Sequence, residues 1–401
     1  YMPLTQEKLI KFNLFQQNEE QITKDQLLKL LEYSSNINSV DQFIKDTPSY
    51  PGSTDKISRN ELARAIGSTL SIEGIIMDQE EIANSIEKAR GNEALNRKEQ
   101  EAENSRKVYQ FIIDIVLNPE NKYIYEESVI KNIHKLFTAD LNYLSNAPGK
   151  YRDNFTPTFG VPRKTGLCKT ESEVQDAMSR YAVWLNKDNT GSLESNLPII
   201  KAIMAHYYLT EIYPFGDGNG RTARAIEALI LYAHGINNYC FWSLANFWSN
   251  HRDEYLHNLA MIRETCNPIE FIIWGLEGYL NEIKRIKESI LKKLKQLMLM
   301  DYTRYLLNNK NKKKIKINNR IVDFLNVLVN SKPMNIRKFF LQPFVAPLYK
   351  NVHAATIRRD LKKMIELQLI IINPNNDSKD EEDKNIIEPN YSILDKVKYR
   401  V

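Results

Sequence analysis

The sequence predicts a mainly α-helical protein, with a β-hairpin inserted in a large helical region and a small domain of helices and strands at its C-terminal end. Apolar residues recur at helical spacing along most of the 401 residues. Between Pro148 and Gly166 this period gives way to two short strand patterns. The lysine-rich run Asn308–Lys314 predicts a hinge, and beyond it three helical patterns precede two apolar strand patterns.

The composition is typical of a globular protein with two or three domains, because 401 residues exceed one ordinary core. No apolar run approaches the roughly 18 residues that span a bilayer, and the polar start Thr5–Lys8 lacks a signal-peptide core. We therefore expect a cytoplasmic protein without a membrane segment. Cys168, Cys240 and Cys266 lack the spacing of a metal site or a disulfide framework. The net charge of +5 is too small to indicate nucleic-acid binding by itself.

Helical spacing predicts the elements that precede the hairpin. The region 1–57 contains two helical patterns, Leu9–Phe15 and Gln26–Tyr33, and ends in a linker at the breaker-rich stretch Thr47–Thr54. A helix then runs from Ser58 to Gly74. The next segments are predicted as one solvated, charged helix and two core helices, respectively Glu80–Lys98, Ser105–Leu117 and Glu127–Leu136.

After the hairpin the same spacing predicts four more helices. They are Glu171–Leu185, Leu197–Ile212, a buried helix at Thr222–His234 and a long, increasingly basic helix at Ile269–Leu306. His206 lies among apolar neighbours on the second of them. We expect a structural role for His206, since a lone histidine in such a pattern is more typical of a core than of a catalytic base.

The stretch Tyr213–Arg224 organises the chain, because its Pro and Gly residues end one helix and a new helix starts around Gly220. Gly218 and Gly220 let the backbone approach a ligand closely. The first amides of a helix lack intrahelical partners and can therefore bind an anion.

Three charged side chains extend this pattern. Arg221 and Arg224 would lie on neighbouring faces of the new helix, where two guanidinium groups can bind phosphates bidentately. Asp217 is the only carboxylate of the loop, and a carboxylate beside phosphates suits Mg²⁺, which takes few protein ligands. The stretch therefore predicts a polyphosphate ligand with Mg²⁺.

The same stretch resembles the signature of the Fic-domain proteins, HxFx(D/E)GNGRxxR. Seven residues match it at the family's spacing: Phe215, Asp217, Gly218, Asn219, Gly220, Arg221 and Arg224. The resemblance covers about Ser58–Gly278. It implies a Fic-type helical core that transfers AMP from ATP to a protein hydroxyl with Mg²⁺, in a protein that forms a homodimer. It also implies nucleotide-binding roles for Gly218, Asn219, Gly220, Arg221 and Arg224, and a Mg²⁺-binding role for Asp217.

One position departs from the signature, since Tyr213 stands where the family has its catalytic His. By resemblance, Tyr213 would face the incoming hydroxyl. The reference pKa of Tyr is about 10, against about 6.5 for His, so roughly one Tyr in a thousand is ionised at pH 7. Losing a positioned base typically lowers a rate by about a hundred- to ten-thousandfold. We therefore expect transfer to be weakened or lost while ATP binding survives.

A short motif upstream predicts restraint of this site. Thr69–Gly74 matches the pattern (S/T)xxxE(G/N) and resembles the inhibitory motif of Fic proteins. A Glu at a helix end can reach an Arg that would otherwise hold the terminal phosphate, so Glu73 and ATP would compete for Arg224. The segment 58–75 then resembles the inhibitory helix of the class that carries it upstream. The alternative is a surface carboxylate on an ordinary core helix.

Two further segments allow a functional and a structural interpretation. The hairpin 149–166 resembles the Fic flap, which holds a target peptide by adding a strand, but its pattern fits a purely structural hairpin equally well. Arg252–Tyr255 resembles the segment that lines the adenine pocket in this family. Tyr255 could stack on a purine there, and its aromatic character fits a core position equally well.

The region 308–401 resembles a winged helix in its order of helix, helix, helix, strand, strand. The segments are Arg320–Asn330, Asn335–Phe340, Ala354–Leu369, Ile370–Ile372 and Tyr391–Leu394. Residues 354–369 would contain a recognition helix, whose Thr356, Arg358, Arg359, Lys362 and Lys363 can meet phosphates or bases. The acidic residues of 377–383 would repel DNA. DNA and a protein partner are therefore equally open.

Three functions remain open for a chain predicted as an arm and linker (1–57), a Fic-type core with its motif loop at 213–224 (58–307) and a winged-helix-like domain (308–401). The first is a protein adenylyltransferase restrained by Glu73 and weakened by Tyr213. The second is a hydrolase that removes AMP, with Glu73 orienting water. The third is a catalytically silent regulator that senses nucleotide and acts through 308–401 on DNA or on a partner protein.

Overall fold

The computed structural model describes residues 23–47, 51–120, 124–141, 147–153, 170–186, 198–236, 244–265, 267–308, 315–373 and 385–397. The protein is mainly helical, which confirms the predicted fold class, and it divides into two compact units. Unit 1 is Tyr1–Lys287 and unit 2 is Glu288–Val401. Within the described ranges, no helix is both long and apolar enough to cross a bilayer.

Unit 1 is built from helices, the last of which continues into unit 2. They are α1 (Lys24–Asp46), α2 (Pro51–Ile72), α3 (Gln79–Arg90), α4 (Arg97–Leu117), α5 (Glu127–Thr138), α6 (Glu171–Asn186), α7 (Pro198–Ile212), α8 (Asn219–Ala233), α9 (Ala245–Asn250), α10 (Arg252–Thr265) and α11 (Ile269–Asn308). The predicted bounds agree closely for α5, α6, α7, α8 and α11. Helices α1, α2, α3 and α4 have other bounds than predicted, and the sequence analysis assigns no helix to α9 and α10.

Helix α4 begins at Arg97, so the predicted start at Ser105 is wrong. A capping box sets the true start: the Asn96 side chain accepts from the Glu99 amide at 3.1 Å, and the Glu99 carboxylate accepts from the Asn96 amide at 2.8 Å. The predicted solvated helix ends earlier, at Arg90, because Gly91 follows it as the C-cap and donates from its amide to the Glu87 carbonyl at 3.0 Å. As a consequence of the earlier start of α4, Glu101 is helical, and it is buried.

Helix α2 begins at Pro51, whereas the sequence predicts a linker through Thr54 and a helix start at Ser58. Proline is tolerated at the first position of a helix, because the N–H it lacks would have no intrahelical partner there. The helix ends at Ile72, and Gly74 follows at φ 87°, a left-handed conformation that glycine adopts without steric cost. Glu73 therefore lies directly at the C-terminal end of α2.

The centre of unit 1 is α8, which is buried along most of its length and packs against α7, α5 and α4. This confirms the predicted central helix. Helix α2 packs against α4 and α9 and also reaches α8. Because α2 ends and α8 begins in the same region, residues far apart in sequence can meet at the start of α8.

Unit 2 contains α12 (Ile315–Val329), β1 (Met334–Asn335), α13 (Ile336–Phe340), a 3₁₀ turn (Ala346–Tyr349), α14 (Ala354–Glu366), β2 (Ile370–Asn373), β3 (Ile386–Pro389) and α15 (Ile393–Val397). The strands form an antiparallel sheet in the order β1–β3–β2, with Ile372 opposite Ile387. The predicted strand Tyr391–Leu394 is wrong. Asn390 follows β3 and accepts from the Ser392 amide at 3.2 Å, which turns the chain into α15.

The apolar core of unit 2 includes Leu299 and Leu307 from the C-terminal part of α11, so the boundary between the units falls inside that helix. The predicted domain boundaries stay predictions. Several predicted features lie mostly or wholly outside the described residues: the hinge Asn308–Lys314, the hairpin 149–166, the pattern Leu9–Phe15, the acidic run 377–383 and the three cysteines.

Candidate functional site

The loop from Tyr213 to Gly218 connects α7 to α8, and the Asn219 side chain fixes its shape. Asn219 Oδ1 accepts from the Phe215 amide at 2.9 Å, and Asn219 Nδ2 donates to the Phe215 carbonyl at 2.8 Å. Tyr213 has a φ of 52°, which is a strained value for a residue with a side chain. The predicted contact of Asn219 with an α-phosphate stays a prediction.

His134 on α5 connects this loop to the start of the predicted hairpin. Its Nδ1 accepts from the Gly149 amide at 3.0 Å, so Nε2 carries the proton and donates to the Asp217 carbonyl at 2.9 Å. The imidazole stacks on Phe215, with ring centroids 3.7 Å apart. Burial lowers the pKa of His134 to about 4, so the ring is neutral at pH 7.

Gly218 is the N-cap of α8 and has a φ of 72°. A Cβ at this position would lie 3.3 Å from the Thr138 side chain and 3.4 Å from the His134 ring. Both the backbone conformation and the available space therefore require glycine here.

Arg152 holds the backbone at the position of the motif His. Its Nε donates to the Tyr213 carbonyl at 2.6 Å, and its amide donates to the Pro214 carbonyl at 2.9 Å. Both acceptors are backbone carbonyls, so these two hydrogen bonds fix the backbone at Tyr213. The Tyr213 side chain is half-buried.

Arg221 is held by two carboxylates, one from α4 and one from the loop. Its guanidinium donates to Glu101 at 2.9 Å and to Asp217 at 2.7 Å. The Arg221 and Glu101 side chains are 5% and 2% exposed, whereas that of Asp217 is 38% exposed. Phosphate binding by Arg221 and Mg²⁺ binding by Asp217 stay predictions, and the two residues form an ion pair here.

Arg224 is held by the C-terminal end of α2. Its Nε donates to the Thr69 hydroxyl at 2.8 Å, and one Nη donates to the Thr69 carbonyl at 3.1 Å and to Glu73 Oε1 at 2.6 Å. The predicted pair of Glu73 and Arg224 is therefore confirmed. Thr69 and Glu73, the two polar positions of the short motif, contact the same guanidinium.

The Glu73 carboxylate lies at the N-terminal end of α8, where the sequence predicts an anion. A Cβ on Gly220 would lie 2.7 Å from Glu73 Oε1, so glycine makes room for this carboxylate. Burial acts to raise the pKa of Glu73, but the charges of Arg224 and Arg221 and the hydrogen bond from Arg224 outweigh it and hold the pKa below its ordinary value. Glu73 is therefore anionic at pH 7.

His206 is buried and bonded at both ring nitrogens, in agreement with the structural role expected for it. Its Nδ1 lies 2.8 Å from Glu227 Oε2, and its Nε2 lies 2.8 Å from the Tyr255 hydroxyl. Tyr255 is 3% exposed, and its ring packs against Trp248. Purine stacking by Tyr255 stays a prediction.

Asp217 is the residue that the sequence predicts as a Mg²⁺ ligand. Among the described residues, no group of three or more His, Cys, Asp or Glu side chains is arranged to hold a metal ion. An ion that binds through one carboxylate, the phosphates of a nucleotide and several waters needs no such group. The partly exposed carboxylate of Asp217 fits that kind of Mg²⁺ site.

Sequence reasoning missed four residues of the site: Glu101, His134, Arg152 and Glu227. The capping box at Asn96 would have extended α4 over Glu101, and that signal was available. His134 and Glu227 lie inside predicted core helices, where nothing local distinguishes them from other helical residues.

Comparison with known proteins identifies the domain that carries this site. Residues 124–231 match the model of the Fic/DOC family. The chain contains a Fic domain. It is 43% identical over 111 residues to the protein adenylyltransferase Fic of Drosophila virilis, an alignment that covers 27% of this chain and 21% of that protein. It is 46% identical over 63 residues to the protein adenylyltransferase fic-1 of Caenorhabditis briggsae, covering 16% and 12%. The chain thus spans about a fifth or less of these curated relatives.

Solved Fic proteins share the fold over a larger part of the chain. A Fic family protein from Desulfovibrio desulfuricans G20 superposes with a TM-score of 0.55 at 15% identity, covering 92% of this chain and 96% of that one. Fic-1 from C. elegans superposes with a TM-score of 0.53 at 19% identity, covering 66% and 73%. At these identities the likeness concerns the fold alone.

Proposed function

We propose that the protein binds ATP with Mg²⁺ at the loop Tyr213–Arg224 and acts as a protein adenylyltransferase that is restrained by Glu73. The observation that carries the proposal is the position of the Glu73 carboxylate, 2.6 Å from Arg224 and against Gly220 at the start of α8. A terminal phosphate carries the same sign of charge and would bind the same groups. The relatives named protein adenylyltransferase support the reaction class.

In the proposed reaction a hydroxyl oxygen of a target protein attacks the α-phosphorus of ATP. The bond from that phosphorus to the β,γ-pyrophosphate breaks, AMP stays on the hydroxyl oxygen, and pyrophosphate leaves. The hydroxyl proton passes to the oxygen of Tyr213 in the small fraction of molecules in which that phenol is ionised, roughly one in a thousand at pH 7. Because a phenol with an ordinary pKa of about 10 is a weak proton carrier at pH 7, Tyr213 slows transfer without affecting nucleotide binding. Mg²⁺ bound at Asp217 would neutralise charge on the phosphates.

Restraint follows from competition for one guanidinium. The Glu73 carboxylate must leave Arg224 before an outer phosphate can bind there, and a hydrogen bond to a charged group contributes about 1.5–3 kcal/mol. Glu73 lies at a helix end with its side chain 36% exposed, so it can leave without unfolding a core element. ATP therefore binds more weakly than the phosphate contacts alone would allow.

The substitution Tyr213→His tests the proposal. We expect AMP transfer to rise by at least about a hundredfold, the lower range for restoring a positioned base. His also tolerates a positive φ better than most residues, so the loop should accept it. The assay is transfer of labelled AMP from ATP with Mg²⁺, with the protein itself as first acceptor and Tyr213→Phe as the matched control.

Calorimetry with ATP and Mg²⁺ separates binding from chemistry on the same proteins. The matched control is Arg224→Ala, which should weaken ATP binding by about tenfold or more, the equivalent of losing a hydrogen bond to a charged group. A Tyr213→His protein that binds ATP and transfers nothing would contradict the transferase assignment. No Mg²⁺-dependent binding in any variant would contradict the nucleotide site itself.

A regulator that senses nucleotide is the second candidate, and the exposed basic face of α14 favours it. Arg358, Arg359 and Lys362 are exposed, whereas Asp360 is buried and accepts from Arg320 at 2.7 Å. We infer a winged-helix-like domain that meets nucleic-acid phosphates through α14, since its helices and its β1–β3–β2 sheet follow that order. A mobility-shift assay with duplex DNA should lose the shift in Arg358→Glu and keep it in the control Arg90→Glu. No shift with the parent protein would leave the transferase as the sole proposal.

A further inference from the structure

Local hydrogen bonds close the C-terminal end of α2 around Glu73. The amides of Glu73 and Ile75 both donate to the Leu70 carbonyl at 3.0 Å, and Gly74 between them has a φ of 87°. The last carbonyls of a helix lack partners within it and accept from donors outside it. A side chain that donates to one of these carbonyls therefore fixes the point from which the Glu73 carboxylate extends.

Arg252 on α10 supplies such a donor. Its Nε donates to the Ile72 carbonyl at 3.1 Å, directly before Glu73. The Arg252 side chain is 48% exposed, so the contact lies at the surface of unit 1. The guanidinium also places a positive charge at the C-terminal end of α2, where the helix dipole favours a cation.

The position of Arg252 in its own helix indicates that the contact with α2 matters more than the stability of α10. Arg252 is the first residue of α10, and Asp253 and Glu254 follow it in the first turn. The dipole at the start of a helix favours these two carboxylates and disfavours a cation. The charge of Arg252 is therefore matched by the end of α2 and not by α10.

A second hydrogen bond joins the same part of α2 to α9. The Ser68 hydroxyl donates to Asn246 Oδ1 at 2.7 Å, and Asn246 is 1% exposed. Ser68 lies one turn before Ile72, so the last turns of α2 are anchored to both α9 and α10. Glu73 extends from this anchored end to Arg224 on α8, 2.6 Å away.

We propose that Arg252 is the positioning residue for Glu73, and that it fixes the end of α2 so that the carboxylate stays on Arg224 while no nucleotide is bound. The inference deepens the proposed function and rests on it. A carboxylate on a fixed backbone loses less conformational entropy in its ion pair, so it competes better with a phosphate. Arg252 thereby strengthens the restraint without itself touching Arg224.

The variant Arg252→Ala tests the inference. With Mg²⁺, we expect it to bind ATP about three- to fivefold more tightly, since a partly exposed charged contact contributes little more than this. The gain is smaller than that expected from Glu73→Gly, because Glu73 still reaches Arg224. AMP affinity should be unchanged, since AMP lacks the outer phosphates. The matched control is Arg180→Ala: this arginine is 50% exposed and pairs with Asp176 within α6, so its loss should change neither affinity.

The decisive calorimetric comparison adds Arg252→Ala to Glu73→Gly. No further gain in ATP affinity is expected there, because the carboxylate that Arg252 positions is gone. An arginine that binds the nucleotide itself would instead lower the affinity in both backgrounds, and this result would overturn the inference. An ATP affinity that is the same in Arg252→Ala and Arg180→Ala would also overturn it.

Hydrogen exchange separates a failure of the inference from a failure of the proposed function. The amides of Gly74 and Ile75 donate to carbonyls of α2 at 2.9 Å and 3.0 Å, so their exchange in the empty protein reports on the end of this helix. We expect faster exchange in Arg252→Ala than in Arg180→Ala, and equal rates would overturn the inference. If no variant binds ATP with Mg²⁺, the proposed function fails, and these exchange rates still decide whether Arg252 fixes the end of α2.

Discussion

Arg221 and Arg224 lie on the first turns of the same helix and are both almost fully buried, yet their partners differ: Arg221 pairs with Glu101 and with the partly exposed Asp217, whereas Arg224 pairs with Glu73. Glu101 comes from within α4 and is 2% exposed, whereas Glu73 follows the last turn of α2 and is 36% exposed. A carboxylate enclosed in the core cannot reach water when it leaves its arginine, but one at a helix end can. Arg221 therefore belongs to the fixed part of the site, and Arg224 to the part that can exchange partners.

The largest expected difference between the two arginines is in the free energy of unfolding of their alanine variants. We expect Arg221→Ala to lower the free energy of unfolding by about 3 kcal/mol, the low end for breaking a buried ion pair, because the buried Glu101 then keeps the exposed Arg97, 3.3 Å away, as its remaining ion-pair partner. Arg224→Ala should cost less, since Glu73 can hydrate. The measurement is denaturant unfolding, with Arg180→Ala as the exposed control, which should cost at most about 1 kcal/mol. Equal losses for Arg221→Ala and Arg224→Ala would remove the distinction between the two arginines.

The next effect concerns pH and the fixed part of the site. His134 has a pKa of about 4 in the folded protein, below the ordinary value of about 6.5, so the unfolded chain binds the proton first. Stability from this group is complete above pH 6.5 and falls as the pH drops toward 4, by up to about 1.4 kcal/mol per pH unit. Unfolding measured between pH 7 and pH 4 should show this slope.

The variant His134→Gln serves as the control, because its amide does not titrate and can still donate to the Asp217 carbonyl. Its stability should depend less on pH over the same range. An unchanged slope in His134→Gln would mean that other groups cause the loss of stability in acid.

The sequence predicts both arginines and the partner of Arg224, but not the buried partner of Arg221, for a physical reason. The pair of Glu73 and Arg224 connects two short motifs, each of which can be identified from neighbouring residues. Glu101 lies in a charged stretch whose local pattern is the same whether its carboxylates face water or a buried arginine. What buries Glu101 is the packing of α4 on α8, a contact between residues far apart in sequence.

The errors in the predicted fold have the same cause: a local sequence pattern does not contain the contacts between residues far apart in sequence. The apolar residues around Ile393 and Leu394 fit a strand or a helix, since four residues are too few to separate the two periods. Only the pairing of β3 with β1 and β2 decides which segment completes the sheet. Likewise, Pro51 signals a break, but it also suits the first position of a helix, and the apolar stripe of α2 decides in favour of the helix.

The smallest expected effect tests directly whether Glu73 is the partner that leaves. The pKa of Glu73 is held below its ordinary value, so its carboxylate is charged at pH 7 and competes with a phosphate for Arg224. Glu73→Gly should therefore tighten ATP binding, measured calorimetrically with Mg²⁺. The gain should be about ten- to hundredfold, the equivalent of regaining hydrogen bonds of roughly 1.5–3 kcal/mol.

Arg224→Ala is the control that tests whether the gain in ATP affinity depends on Arg224, because it removes the guanidinium for which the Glu73 carboxylate and a phosphate compete. In the Arg224→Ala background, Glu73→Gly should leave ATP affinity nearly unchanged, so the two substitutions must be non-additive. Affinities that simply add across the four proteins would show that Glu73 acts on ATP without Arg224. In that case Glu73 is only a carboxylate at the end of a core helix. Arg224 would then not exchange its carboxylate partner for a phosphate, and it would no longer differ from Arg221 in this respect.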